Sequence, residues 1–182
     1  MKIDLYIDFD GVILDTMTDT YREYVKYKKL NAIDSISYYK GLDWFTLLYE
    51  SSEINDSINN IKKLIASNLY NVSILTHVVC QEEVSAKKRY LAEKIPGIRV
   101  ITVDKSKNKC DAVLCVNAIL VDDYMENLEL WHDKGGISIK FSDNSKKRKF
   151  MTIDSLDDLI DKYDDIVKMI EENKSSKQAK KV

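Results

Sequence analysis

Acidic residues occur in two closely spaced pairs in this sequence, and each pair directly follows a short apolar run. The first pair is Asp8 and Asp10, and the second is Asp122 and Asp123. Alternate residues of an extended segment point the same way, so Asp8 and Asp10 are expected to share a face. Four converging carboxylates repel each other unless a cation lies between them, and all-oxygen ligands favour Mg²⁺, which also keeps water and substrate oxygens. The two pairs therefore predict a Mg²⁺ site.

A hydroxyl group and a lysine complete the candidate site. Thr76 ends the apolar stretch NVSILT, and Lys105 follows the stretch IRVITV. A phosphate group needs a hydrogen-bond donor and a positive point charge, which these two residues supply. Lys105, Lys107 and Lys109 alternate along the chain and any of them could reach the phosphate; Lys105 is preferred because it is nearest to the end of its strand. Acids, Mg²⁺, a hydroxyl and a lysine together favour phosphoryl transfer through an aspartyl-phosphate.

The elements that must position these residues alternate between strand and helix. The pattern predicts strands at 2–9, 71–76, 98–103, 118–121 and 137–141, and helices at 15–30, 81–94, 124–134 and 155–172. Such alternation is typical of an α/β, Rossmann-like fold, with a parallel sheet and helices on both faces. Sheets of this kind bind ligands beyond the carboxyl ends of their strands. The candidate residues all lie at predicted strand ends, which agrees with this expectation.

One connection is too long for a single crossover helix. About 60 residues separate Asp10 from Asn71, whereas a crossover needs about a dozen or more. We therefore predict a helical cap inserted at 31–68 beside the site, a core formed by 1–30 and 69–172, and a flexible tail at 173–182. The aromatic residues of the insertion either form the core of the cap or stack on a nucleobase; they are Tyr38, Tyr39, Trp44, Phe45 and Tyr49.

Composition excludes several classes of protein and partner. The 182 residues carry a net charge of −2, which gives no general attraction to nucleic acid polymers or anionic membranes. The three cysteines lack the spacing of a disulfide framework or a metal site, so they are expected to be buried in a reducing compartment. A signal peptide for export needs an uninterrupted apolar core, and acidic residues interrupt the first segment, so export is not expected. No apolar stretch is long enough to span a membrane. We expect a cytoplasmic protein.

The ordered motifs resemble those of a known superfamily. DFDGV with Asp8 and Asp10, ILT with Thr76, then Lys105, and ILVDD with the second acidic pair are similar to the four motifs of the haloacid dehalogenase (HAD) superfamily of phosphohydrolases. The stretches DFDGVILD, VDDYMENLELW and GGISIKF more narrowly resemble the 5'(3')-deoxyribonucleotidase branch and its bacterial relatives.

This resemblance implies a role for each motif residue. Asp8 would be the nucleophile that attacks phosphorus. Asp10 would be the general acid that protonates the leaving alkoxide and then the general base for water, and its backbone carbonyl would contact Mg²⁺. Thr76 would bind a phosphate oxygen, and Lys105 would neutralise both Asp8 and the phosphate.

The resemblance also assigns metal ligands and supporting residues. Asp8 is one ligand, Asp123 is the expected direct ligand of the acidic pair, and Asp122 supports it. Asn127 follows one helical turn later and could hold a metal-bound water. Gly11 forms the turn after the first pair. His77 stands beside the motif threonine, but no other residue in the sequence is evident that would orient it, so it is kept as a supporting residue.

We predict a Mg²⁺-dependent phosphomonoesterase that works through an aspartyl-phosphate, most specifically a 5'-nucleotidase for deoxyribonucleoside monophosphates. Its partner would be a small phosphate ester. Two alternatives stay open: another small substrate such as a sugar phosphate, or a receiver-like signalling module that keeps a phosphorylated aspartate. In receiver domains the phosphorylated aspartate comes after the acid pair, whereas here the DxD motif comes first, which favours the enzyme.

Overall fold

The computed structural model describes residues 2–31, 34–142 and 149–179, and in this part of the chain six strands form one sheet. The strands are β1 (Ile3–Ile7), β2 (Tyr70–Val78), β3 (Arg99–Asp104), β4 (Ile119–Asp122), β5 (Ile137–Phe141) and β6 (Met151–Ile153). Their order across the sheet is β3-β2-β1-β4-β5-β6, and every neighbouring pair is parallel. The predicted α/β fold with a parallel sheet is confirmed, with β1 at the centre.

Helices connect the strands. They are α1 (Met17–Asn31), α2 (Ser35–Lys40), α3 (Trp44–Glu50), α4 (Ser57–Ser67), α5 (Gln81–Lys94), α6 (Met125–Asp133), α7 (Asp158–Asp161) and α8 (Tyr163–Ala179), with a 3₁₀ turn at Lys109–Asp111. Aspartates cap two of the short helices: Asp34 accepts the backbone N–H of Ser37 at 3.0 Å, and Asp43 accepts that of Thr46 at 3.1 Å. Such caps satisfy backbone donors that a helix start leaves without partners.

Strand β1 contributes to a hydrophobic core on each face of the sheet. Leu5 and Ile7 belong to one cluster of buried residues, whereas Tyr6 between them packs with Trp131 in the other. Alternate residues of a strand point to opposite faces, so the unbroken apolar run LYI is what a strand covered on both sides requires.

The insertion after β1 differs from its predicted extent. Helix α4, which lies within the predicted cap at 31–68, instead packs against β2. Ile58, Ile61 and Leu64 recur at helical spacing and join the same core cluster as β1, so α4 is the crossover helix of the core. Helix α3 packs against α5. Within the predicted cap, α2 has no buried residue, and it packs against α1, which was predicted as part of the core.

The aromatic residues of the insertion separate into three environments. Trp44 is 4% exposed and donates its indole N–H to the carbonyl of Tyr39 at 3.0 Å. The ring of Tyr39 and that of Tyr38 pack together and against a tyrosine of α1. Phe45 and Tyr49 are exposed beside α5, where the Tyr49 hydroxyl donates to Glu93. Trp44 is thus part of the core, and the tyrosines bind α1 to α2.

Two features of the C-terminal region were not predicted. Strand β6 is a sixth strand beside the predicted five. It was not predicted because its three residues are too few to show an alternating pattern. Helix α8 continues to Ala179, so most of the stretch predicted as a flexible tail is helical; 180–182 lie outside the described residues. None of the described helices combines the length and the apolar character that crossing a membrane requires.

Candidate active site

The ends of neighbouring strands bring the candidate residues to one edge of the sheet. Ile7 of β1 is in register with Ile74 of β2 and with Val121 of β4. The backbone N–H of Asp8 extends this pairing by donating to the Val121 carbonyl at 2.9 Å. Asp8 directly follows β1 and Asp122 ends β4, so the parallel register places these two acids side by side at the carboxyl edge.

Three carboxylates form a group that could bind a metal ion. Asp8, Asp122 and Asp123, called the acid cluster below, each offer an oxygen, and these oxygens lie within 4.8 Å of one another. Asp8 and Asp122 are buried, while Asp123 is exposed. All-oxygen donors with one ligand open to solvent suit Mg²⁺, which retains water in its coordination shell. The acid cluster therefore fits the predicted ion, and these three residues could hold it.

Gly11 makes room for the acid cluster. Its φ is +75°, a backbone conformation that side chains disfavour, and a Cβ atom built there would clash with the carboxylate of Asp123. Glycine at this position therefore serves two purposes: it turns the chain after Asp10, and it lets Asp123 approach the end of β1.

Lys109 is the lysine that the structure brings to the acid cluster. Its Nζ lies 2.7 Å from Asp8 Oδ1 and 2.7 Å from Asp122 Oδ2, and the side chain is 2% exposed. Burial alone would lower the pKa of Lys109, but the charges of Asp8 and Asp122 outweigh it and the pKa is raised. An ammonium group placed between Asp8 and Asp122 could also neutralise a phosphate group bound there.

Lys105, the lysine preferred from the sequence, is not the one that the structure places against Asp8 and Asp122. Lys105 is exposed, and its Nζ lies 5.9 Å from the ring centroid of Tyr124. After β3 the chain forms a turn, in which Lys107 N–H donates to the Asp104 carbonyl at 2.9 Å. The chain returns to the acid cluster only at the 3₁₀ turn that begins with Lys109. Distance along the sequence from the strand end was therefore a poor guide.

Without a metal, two carboxylates of the acid cluster keep their protons to a higher pH than an ordinary aspartate does. Burial raises the pKa of Asp8 to about 7; Lys109 acts against this, and the charges of Asp122 and Asp10 add to it. Although Asp123 is exposed as a residue, desolvation of its carboxylate and the charge of Asp122 raise its pKa to about 6. Carboxylates crowded in this way bind protons until a cation replaces them.

Asp10 does not share the environment of Asp8. Strand β1 ends at Ile7, so the alternation expected of an extended segment does not continue to Asp10. Its Oδ1 accepts the Thr16 hydroxyl at 2.7 Å, and its Oδ2 accepts the ammonium of Lys87 at 2.5 Å. Burial acts to raise the pKa of Asp10, but the charge and hydrogen bond of Lys87 and the Thr16 hydroxyl lower it overall.

Lys87 is a site residue that the sequence interpretation missed. It lies in α5, and its side chain is fully buried. A signal was present in the helical spacing: Glu83, Ala86, Lys87, Tyr90 and Leu91 recur at intervals of three and four, and all five are buried. The many charged residues of this segment are typical of a solvent-exposed helix. Its periodicity, however, places the pair Glu83 and Lys87 on the buried face.

The remaining predicted residues lie next to these groups. Thr76 is fully buried, and its hydroxyl accepts the ammonium of Lys87 at 3.0 Å and lies 3.5 Å from Asp10 Oδ2. Asn127 donates to Asp122 Oδ2 at 2.8 Å, so it orients a cluster carboxylate. His77 Nε2 lies 2.9 Å from the Lys107 carbonyl, which orients the ring. Burial lowers the pKa of His77 to about 4, so the ring is neutral at neutral pH.

No protein-family model matches this sequence, and none of the curated proteins compared with it matches either. Solved structures are similar in fold. A family IA variant 3 HAD hydrolase from Entamoeba histolytica has a TM-score of 0.62 and 12% identity, over 94% of this chain and 100% of that one. A HAD phosphatase from Thermococcus onnurineus has a TM-score of 0.58 and 18% identity, over 88% and 97%. A dehalogenase has a TM-score of 0.55 and 15% identity, over 87% and 95%. The chain therefore has the fold of HAD-superfamily hydrolases.

Proposed function

We propose that this protein is a Mg²⁺-dependent phosphomonoesterase that works through an aspartyl-phosphate. The observation that carries the proposal is the position of Asp8, which shares Lys109 with Asp122 at 2.7 Å on each side and lies within the acid cluster. A carboxylate next to a cation and a metal site can approach a phosphate dianion that would otherwise repel it.

The reaction would proceed in two displacements at phosphorus. An oxygen of Asp8 attacks the phosphorus and the bond to the ester oxygen breaks, with a proton going from Asp10 to the leaving alkoxide. Because Lys87 and Thr16 lower the pKa of Asp10, this proton has to be taken up from solvent when the substrate binds. Water then attacks the same phosphorus, Asp10 accepts its proton, and the bond to Asp8 breaks to release inorganic phosphate. Mg²⁺ held by the acid cluster would polarise the phosphoryl oxygens and offset their charge. Lys109 stays protonated throughout and balances the charge on Asp8.

Carbon–halogen cleavage is the other chemistry that the similar structures suggest, since one of them is a dehalogenase. A halide leaves as a stable anion and needs neither a proton donor nor a metal ion. Here Asp10 lies two residues after Asp8, and Asp8 itself belongs to the acid cluster. A proton donor and a metal site both suit an alkoxide leaving group on phosphorus. These features favour the phosphatase.

For the substrate we propose a deoxyribonucleoside monophosphate. Support comes from the stretches that resemble the deoxyribonucleotidase branch and from an exposed aromatic ring near the site. Tyr21 of α1 is 58% exposed, so its ring can stack on a base. Thr16 directly precedes α1 and donates to Asp10, so α1 begins next to the reacting groups. Another small phosphate ester, such as a sugar phosphate, is the alternative. The expected cytoplasmic location stays a prediction.

Phosphate release measured with and without Mg²⁺ tests the proposal. The substrates are the deoxyribonucleoside and ribonucleoside monophosphates, sugar phosphates and nitrophenyl phosphate. Asp8→Asn is expected to abolish turnover, and Asp4→Asn, the same change at the exposed start of β1, provides the matched control. If no ester is hydrolysed, the enzyme proposal fails. A stable phosphoryl group on Asp8 without phosphate release would instead support the receiver-like alternative.

A further inference from the structure

Lys87 is a fully buried ammonium group whose every contact lies at or beside the candidate site. Its Nζ lies 2.5 Å from Asp10 Oδ2 and 2.7 Å from Glu83 Oε1. It also donates to the Thr76 hydroxyl and to the His77 carbonyl, each at 3.0 Å. The three N–H bonds of the ammonium group thus have four acceptors around them, and the Lys87 side chain itself has no contact with solvent.

The surroundings of Lys87 enclose its ammonium group. The ammonium lies 5.2 Å from the ring centroid of Phe9 and 5.6 Å from that of Trp44, so aromatic rings close the space around it. Glu83, which is 3% exposed, is itself fixed because its Oε2 accepts the backbone N–H of Val79 at 2.7 Å. A lysine side chain normally extends into solvent, and here it is as buried as a core residue.

Stability alone does not explain this arrangement. Buried ion pairs are often no better for folding than apolar residues of the same volume, because each charge loses its hydration. The neighbours of Lys87 are apolar: Ala86, Tyr90 and Leu91 on the same helix are all buried. Apolar residues at both positions 83 and 87 would be compatible with this helix face, so the retained ion pair points to a function at Asp10.

Lys87 and Thr16 together fix both oxygens of Asp10. Lys87 contacts Oδ2, and Thr16 contacts Oδ1 from the opposite end of the carboxylate. A carboxylate with a donor on each oxygen cannot rotate freely about its Cβ–Cγ bond. We propose that Lys87 is a positioning residue, which holds the Asp10 carboxyl group in the orientation for transferring a proton to the leaving oxygen. This inference rests on the proposed phosphatase function.

In this role Lys87 does not exchange protons with the substrate. The proton that reaches the ester oxygen comes from Asp10, and the proton of the attacking water returns to Asp10. Lys87 keeps its three protons through both displacements. Its removal should therefore harm the reaction only where proton transfer to the leaving group matters, and it should leave the half of the site formed by Asp8 and Lys109 intact.

Esters with different leaving groups provide the test. An alkyl phosphate, such as a nucleoside monophosphate, releases a strongly basic alkoxide and needs the proton, whereas nitrophenyl phosphate releases a weakly basic phenolate and does not. The value of kcat/KM covers the steps up to transfer of the phosphoryl group to Asp8. The variants are Lys87→Met and, on the exposed face of the same helix, Lys88→Met as the control.

For Lys87→Met we expect kcat/KM to fall at least about 100-fold with the alkyl ester and less than about 10-fold with the aryl ester, since general acid catalysis contributes roughly 100- to 10,000-fold. The control should change neither value. If Lys87→Met does not fold, as judged by thermal melting, the double variant Glu83→Gln/Lys87→Met is measured, because it removes one buried charge of each sign.

Equal losses with the two esters would overturn the inference, since damage to the fold alone affects both substrates alike. No change with either ester would overturn it as well. Absence of phosphate release by the unmodified protein with both esters would instead contradict the proposed function. Inhibition by inorganic phosphate gives a second readout: it should persist in Lys87→Met, because Asp8 and Lys109 are unchanged.

Discussion

Mg²⁺ is expected to stabilise the folded protein much more at pH 8 than at pH 5. Without metal, burial and neighbouring acids hold the pKa of Asp8 at about 7 and that of Asp123 at about 6. At pH 8 both carboxylates are ionised and repel each other, so a divalent cation relieves an unfavourable interaction. At pH 5 both are largely protonated, and the metal must displace those protons before it can bind.

The sign and size of the effect follow from the pKa shift of Asp8. Its pKa in the folded state lies above its ordinary value of 3.8, so its contribution to stability is complete below about pH 4 and is lost as the pH rises through about 7. Each pKa unit corresponds to about 1.4 kcal/mol, which gives a loss of at most about 4 kcal/mol for this buried group. Mg²⁺ at about 100 times its Kd restores about 2.7 kcal/mol. For a chain of this size that equals roughly 5–11 °C in Tm at pH 8.

Thermal melting followed by circular dichroism measures this effect, with Mg²⁺ or a chelator at each pH. The difference in Tm between Mg²⁺ and chelator at the same pH reports on the metal site alone, because the other titrating groups contribute equally to both measurements. Asp8→Asn should lose most of the difference between pH 8 and pH 5, whereas Asp4→Asn should behave as the unmodified protein. A Mg²⁺-induced rise in Tm that is equal at both pH values, or absent at both, would refute the reasoning.

Substitutions elsewhere in the site have equally specific outcomes. Lys109→Met is expected to lower kcat for phosphate release at least about 100-fold, because it removes the cation beside the nucleophile. Lys105→Met, at an exposed position, should leave kcat within roughly threefold. Gly11→Ala places a methyl group against a carboxylate of the acid cluster and should weaken Mg²⁺ binding at least about tenfold in a calorimetric titration. Gly97→Ala is its control, since Gly97 has a φ of +83° but no atom within 4 Å of the added carbon. His77→Gln should leave the shape of the pH–rate profile between pH 5 and 8 unchanged, because burial keeps the pKa of His77 at about 4; a shifted profile would show that His77 titrates in this range.

The sequence was sufficient to predict that Asp8, Asp122 and Asp123 meet. It also placed Asp10 with them, whereas the Asp10 carboxylate pairs with Thr16 and Lys87. Asp8 and Asp122 each follow a short apolar run, and in a parallel sheet the carboxyl ends of adjacent strands share one edge. Only their register remained to be seen, and it pairs Ile7 with Val121. The argument required no knowledge of loops, which is why it led to the right pair of acids.

Loop conformation and helix rotation account for what the sequence did not reveal. The choice between Lys105 and Lys109 depended on a turn and a 3₁₀ turn whose path no spacing rule describes. Helix α4 was assigned to the insertion because the chain between β1 and β2 is long, although its isoleucine and leucine spacing already suited a core helix. Lys87 was missed for a related reason, because a buried lysine is rare and its charge suggested solvent.

The opposite pKa shifts of Asp8 and Asp10 suggest a division of work within the site. Two buried lysines each lie between two acids: Lys109 between Asp8 and Asp122, and Lys87 between Asp10 and Glu83. Asp8 also faces further acids, so its pKa is raised, whereas Asp10 has a hydroxyl on its other oxygen, so its pKa is lowered. A divalent cation bound by the acid cluster would lower the pKa of Asp8 far more than that of Asp10. Metal binding would then ionise the nucleophile directly, while the acid–base residue keeps an orientation that the protein alone provides.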